Sequence, residues 1–425
     1  MSENRWAAAL VAGIMTAGMA AGAAAATTKE AVLKTYADIA EATFGDAATA
    51  AKALDAAVAK LIAAPSAETL AAARAAWIAA RPPYLQSEVF RFGNAIVDGW
   101  EGKVNAWPLD EGLIDYVAEN YGTESDENPF YAADVIANTR LKAGGETIDA
   151  TKIDAELLEK LQEVGGVEAN VATGYHAVEF LLWGQDLNGT GPGAGDRPFT
   201  DYVQGSGCTH GNCDRRAAYL KAATDLLLSD LSWMAEQWKP GGEARKELDA
   251  KGADGGIVTI LTGLGSLSYG ELAGERTKLG LLLHDPEEEQ DCFSDNTHNS
   301  HYNDVIGMAN VYGGSYTRLD GKKVSGPSLA DLVAEADPKL SDEVKAKLAA
   351  TVVAATAIKQ RAKTKEHYDQ MIAAGNAEGN AVIQKLVDTL TDQTRSFERI
   401  IAALKLAPVK FEGSDSLDNP SAVAQ

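Results

Sequence analysis

Cysteine is scarce. The 425-residue chain has three, Cys208, Cys213 and Cys292. A structural zinc site takes four ligands, and the one Cys/His cluster, Cys208-Thr209-His210-Gly211-Asn212-Cys213, falls short of that. In an oxidising compartment Cys208 and Cys213 are expected to close a small disulfide across their Gly-rich loop, with Cys292 left over; a Cys/His metal knuckle is the alternative. Basic residues are also few: 38 Lys and Arg stand against 61 Asp and Glu, a net charge of −23. A chain this acidic repels phosphate backbones and anionic lipid surfaces, which argues against nucleic acid as a partner. Most of those carboxylates form a solvated helix surface.

The motifs of several common chemistries are missing. Zinc peptidases use H-E-x-x-H or a permutation of it, with a glutamate beside a ligand histidine to activate water. Here Ala177 follows His176 and Phe180 follows Glu179. No G-x-S-x-G elbow is present, and the glycines of residues 189–195 lack the Lys-Ser/Thr ending of a phosphate loop. Cys292, a lone thiol in an oxidising compartment, is a poor nucleophile. Long apolar runs are absent too, except at the N-terminus. There Arg5 precedes an Ala/Gly-rich run over residues 7–26 that ends in Ala24-Ala25-Ala26, the layout of a signal peptide cut before Thr27. That composition makes a poor membrane span, and no cysteine near it could carry a lipid. The mature chain is therefore expected in the periplasm without a membrane span.

What is present is helical spacing. Ala-rich segments with apolar residues at helical intervals cover residues 29–64, 67–92, 155–183, 215–238, 257–283, 341–374 and 377–406, which predicts an all-α protein built of bundles. Pro82-Pro83 predicts a kink or break, and Pro240-Gly241-Gly242 a helix end and hinge. Residues 184–211 and 284–310 are polar and rich in Gly or Asp, and read as long functional or covering loops. The roughly 400 residues after the signal peptide exceed what one core usually serves. We expect an N-terminal bundle over 27–243, a C-terminal bundle over 244–412 and a flexible tail over 413–425. A weak internal echo supports two halves: Arg81-Pro-Pro-Tyr-Leu-Gln-Ser-Glu88-Val-Phe-Arg91 and Ser268-Tyr-Gly-Glu271-Leu-Ala-Gly-Glu275-Arg276 each end an apolar helix with carboxylates and arginine.

The most informative stretch is Gly174-Tyr175-His176-Ala177-Val178-Glu179, running into Phe180-Leu181-Leu182-Trp183. Residues three apart on a helix share a face, with Cβ atoms roughly 5–6 Å apart. An imidazole and a carboxylate so placed can tie two helices by a hydrogen bond, or grip one metal ion. At the rim of a core either group is costly without a partner.

This G-x-H-x-x-E block resembles the signature of the imelysin-like family, bacterial envelope proteins once described as insulin-cleaving membrane proteases and often linked to iron. A second block, Phe293-Ser-Asp295-Asn-Thr-His298 continuing to Asn310-Val-Tyr-Gly-Gly314, is similar to that family's other recognisable stretch. The resemblance implies two helical bundles and a metal or iron-containing ligand held in iron acquisition, with an envelope iron-transport partner; its historical name implies a peptidase instead. His176 and Glu179 would be ligands, Gly174 would give close backbone approach, and Glu88 would be a third ligand, as in related iron-uptake proteins that use a carboxylate from an early helix. Asp115 is a second candidate for that role. For Glu88 and Asp115 the competing reading is a salt bridge to Arg81 or Arg91. His298 and His301 are again three apart, so His298 is a candidate contact to the bound group, while Ser294 or Asp295 reads as the N-cap of their helix. Mixed N/O ligation suits iron and also zinc. Haem, with His176 or His298 as axial ligand, is a further alternative.

Overall fold

The computed structural model describes residues 26–143 and 145–423. The signal-peptide expectation, Ala26 aside, lies outside the described residues.

Among the described residues the chain is all-α apart from two small hairpins. Helix α1 (Lys29–Ala63) opens at Thr28, whose side chain accepts from Ala31 N, and has Glu30 in its first turn and Lys60 in its last, matching the helix dipole at both ends. Helix α2 (Ala67–Leu85) starts with a reciprocal capping box between Ser66 and Thr69. It runs through Pro82 and Pro83, which supply no N–H for Ile78 O and Ala79 O, and stops at Leu85, seven residues short of the apolar pattern. A 3₁₀ turn, Glu88–Phe90, follows. Next come α3 (Ala95–Glu101), the hairpin β1 (Arg140–Ala143) and β2 (Glu146–Asp149), α4 (Ala155–Leu161), α5 (Gly174–Trp183), α6 (Cys213–Trp238), α7 (Glu243–Ala250) and α8 (Gly252–Ser266). The segment 155–183, expected as one helix, is two, because Gln162 leaves helical geometry and residues 162–173 turn back on themselves.

Helix α8 passes into a π-helical segment, Leu267–Lys278, and then α9 (Leu279–Leu283). Helix α10 (Thr297–Gly313) occupies much of what the sequence suggested was a loop over 284–310; only the part before Thr297 is irregular. After β3 (Ser315–Thr317) and β4 (Lys323–Ser325) come α11 (Leu329–Ala336), α12 (Pro338–Thr364), α13 (Tyr368–Ile372) and α14 (Ala377–Ala403). The last residues form α15 (Asp415–Asp418) and α16 (Pro420–Val423), and Ser416 Oγ donates to Gly274 O at 3.0 Å, packing this end on the π segment.

In the first half α1 packs along α2 and α6, burying Phe44 against Trp238 with stacked rings 6.4 Å apart. In the second half α14 packs on α12 and the π segment, and α10 packs on α12. Helix α10 also lies on α2, and α8 on α1, so the buried apolar residues connect from Val32 to Ile400. The two segments of the internal echo meet here: Arg276 pairs with Glu88 at 2.7 Å, and Arg91 with Glu271 at 3.5 Å.

Candidate metal centre

Helix α5 is buried along its whole length. Its first residue, Gly174, has φ +83°, and a Cβ there would sit 2.5 Å from Val104 O. Only glycine allows this approach, which lets Tyr175 N donate to Val104 O at 2.7 Å and seats the helix against the chain that follows α3. The close backbone contact of Gly174 is thus with Val104. Trp77 Nε1 donates to Tyr175 O at 2.9 Å, fixing α5 against α2. At the other end the Gly-rich loop folds over the helix: Arg197 N donates to Trp183 O and Gly195 N to Phe293 O.

On this helix His176 Nδ1 and Glu179 Oε2 lie 3.0 Å apart, both with no exposed side-chain surface. Asp291, from the loop before α10, joins them, its Oδ1 3.9 Å from His176 Nδ1. One ligand atom from each of the three lies within 4.8 Å of the others. Each carboxylate is held from behind. Glu179 Oε1 accepts from Ser294 N at 3.0 Å and Ser294 Oγ at 2.6 Å. Asp291 Oδ1 accepts from Arg81 Nη2 at 2.7 Å, and Oδ2 from Asn296 and Ser300. Arg81 itself is fully buried, donates to Asn105 Oδ1 at 2.7 Å and lies over the Tyr175 ring.

Burial, helped by the Arg81 and Arg276 charges, pushes the His176 imidazole well below its usual range, so it is neutral at physiological pH. Burial and the neighbouring Asp291 charge push Glu179 well above the usual carboxylate range, against the opposing pull of Ser294 and Arg81. His176 Nε2 has no hydrogen-bond partner, and the Trp107 ring lies against the imidazole at 5.0 Å. A neutral imidazole and a Glu179 carboxyl whose charge is suppressed by burial are what a cation would relieve.

The other sequence candidates go elsewhere. Glu88 is buried, but its Oε2 accepts from Arg276 Nη2 at 2.7 Å, so its ion pair is with neither Arg81 nor Arg91. Asp115 lies between Arg197 and Arg216, each at 2.6 Å, and those charges overcome its burial and hold its carboxyl below the usual range. Arg91 pairs with Asp98, Glu101 and Glu271, and Glu271 links it to the Arg276–Glu88 pair. Asp295 does not cap α10. The helix begins at Thr297 with Asn296 in the cap position, because Asp295 adopts left-handed geometry at φ +56°. His298 Nε2 bonds Asn299 Nδ2 at 3.0 Å, and its ring packs against His367 at 5.9 Å. Cys208 and Cys213 form a disulfide, while Cys292 is buried and free.

Asp291 escaped the sequence reading. It ends the acidic run Glu287-Glu288-Glu289-Gln290-Asp291, where nothing local separates a ligand from a solvated carboxylate. Beside the centre opens a cleft of about 650 Å³ lined by Glu101, Glu163, Glu168, Glu271, Glu275 and Glu288, together with Asn105, Trp107 and Gln290. Trp107 lies between this acidic cleft and His176, and Asn105, bonded to Arg81, stands between it and Asp291.

Residues 40–397 match the family model described as Imelysin. The crystal structure of a chain named as an iron-regulated protein A precursor from Parabacteroides distasonis is similar, with a TM-score of 0.61 at 20% identity over 90% of this chain and 97% of that one. That likeness shows the all-α fold. No curated protein matches the chain. Among the described residues no helix is long and apolar enough to cross a membrane.

Proposed function

The chain belongs to the imelysin family, and from that premise we propose that it is a periplasmic iron-binding protein of iron acquisition, with His176, Glu179 and Asp291 as the protein's ligands to the ion. The observation that carries this reading is the convergence of one imidazole nitrogen and two carboxylate oxygens in a fully buried space. Ligands roughly 2.1 Å from one ion lie roughly 3.0 Å apart at right angles and roughly 4.2 Å apart when opposed, a range that holds the 3.0 and 3.9 Å separations seen here. A divalent ion displaces the proton that burial keeps on Glu179, and its charge then offsets the two carboxylates that stand against one buried Arg81. The nitrogen and oxygen donors suit ferrous, ferric and zinc ions; the iron-regulated relative favours iron.

The acidic cleft concentrates cations at the entrance. Hand-off to an envelope transport partner then requires Trp107 to move aside. Peptide hydrolysis fits less well, since Ala177 stands where a zinc peptidase needs its water-activating glutamate. A haem would need a slot as wide as a porphyrin beside an imidazole that has no exposed surface and is covered by Trp107.

Metal analysis of protein purified from the periplasm, with calorimetric titration of ferrous, ferric and zinc ions, tests the reading. His176→Ala should abolish stoichiometric binding while helix content stays near that of wild type. Unchanged affinity in that variant would sink the proposal. A peptide-cleavage assay run beside it decides the hydrolase alternative. Intact-mass measurement should give a chain starting at or near Thr27, and full-length protein in membranes would overturn secretion.

A further inference from the structure

The loop that supplies Asp291 carries two more buried carboxylates. Glu289 and Asp295, with Asp369 from α13, each place an oxygen within 4.8 Å of the others. They are 1%, 3% and 1% exposed. Glu289 Oε1, Asp295 Oδ1 and both carboxylate oxygens of Asp369 have no hydrogen-bond partner. Several buried carboxylates elsewhere are ion-paired. Asp115 has two arginines, Asp46 has Arg318 and Tyr316, and Glu88 has Arg276. Among the described residues no lysine or arginine reaches ion-pair distance of Glu289, Asp295 or Asp369; His367, a partly exposed ring, has its Nδ1 3.9 Å from Asp295 Oδ2, and the buried His298 packs against that ring. Buried acids without partners are costly, and asparagine or leucine would fill the space without that cost. Four orphaned oxygens, on three residues that each bring one oxygen within 4.8 Å of the others, amount to half or more of the shell that a hard cation takes.

We propose that Glu289, Asp295 and Asp369 form a second cation site that takes a hard divalent ion of the calcium or manganese class. The donor set is oxygen only, which separates it from the imidazole-containing centre and favours ions that iron and zinc sites discriminate against. Glu289 and Asp295 flank Asp291, so an ion here clamps the loop that presents Asp291 to His176 and Glu179. The partly exposed His367 marks the side from which the ion enters.

Calcium and manganese chloride are the probes, titrated calorimetrically into the full chain. Wild type and His176→Ala should each bind one calcium equivalent, because the second site does not use His176. Asp369→Asn should weaken that binding at least tenfold while keeping its helix content. If Asp369→Asn does not fold, Asp295→Asn is the deciding variant, with the same expected loss. Wild type that binds neither ion overturns the proposal. So does calcium binding that survives both asparagine variants unchanged. A third overturning result is an Asp369→Asn variant that melts above a wild type indifferent to calcium, which would make the three acids a neutral, protonated cluster.

Discussion

Replacing Glu179 by glutamine separates a metal ligand from a structural tie more cleanly than deleting a side chain. The substitution keeps volume, and the amide oxygen can still accept both bonds that Ser294 gives to Oε1 at 3.0 and 2.6 Å. The amide nitrogen, in place of Oε2, can donate to His176 Nδ1, which sits 3.0 Å away. What disappears is the negative charge. A bond to a charged group contributes about 1.5–3 kcal/mol, and about 1.4 kcal/mol is a decade in Kd. Iron or zinc affinity should therefore fall by roughly one to two decades or more.

The metal-free protein should respond in the opposite direction. Burial and Asp291 hold the Glu179 pKa well above the ordinary range in the folded state. The folded chain therefore keeps the proton that the unfolded chain releases, and the stability linked to it is present at low pH and lost as pH rises toward the raised value. Glutamine does not titrate. The stability of Glu179→Gln relative to wild type should grow with pH, by at most about 1.4 kcal/mol per unit. Urea melts with a chelator present, between about pH 5 and pH 8, measure the trend, and titration calorimetry measures the affinity. Wild-type metal affinity in the variant, or a stability difference flat across that pH range, would refute the reasoning.

Arg81→Met removes the buried partner of Asp291 and should destabilise the metal-free chain by about 3–5 kcal/mol, with part of the loss recovered when zinc or iron is added; denaturant melts with and without metal check this. Gly174→Ala places a Cβ 2.5 Å from Val104 O at φ +83°, and strain plus overlap should cost about 2–4 kcal/mol in thermal or urea unfolding. Reduction of Cys208–Cys213, five residues apart, should cost about 2 kcal/mol, and peptide mapping under non-reducing conditions should find no other linkage. Burial pushes the Cys292 thiol well up, so a thiol reagent should modify it only when the chain unfolds.

The all-α class and the starts of α1, α2, α4 and α14 were legible because their signals are local. Thr28 and Ser66 cap the helices that follow them, and apolar residues at helical intervals mark the faces that α1, α6 and α14 bury. The shared face of His176 and Glu179 was legible for the same reason, since three residues along a helix is less than one turn. The start of α10 was missed by a residue or two, because Asp295, a good capping residue by type, takes left-handed geometry instead.

Tertiary structure decided the partners. Ser294, which holds Glu179, lies 115 residues further along the chain, and Arg276, which claims Glu88, lies 188 residues away from it. Asp291 becomes the third member of the centre, and Glu289 and Asp295 meet Asp369, only because the loop before α10 is packed between α5 and α13. An acidic run in a sequence carries no mark of which carboxylates will face water. Burial assigns that, and burial depends on how distant helices close over the loop, which no interval along the chain encodes.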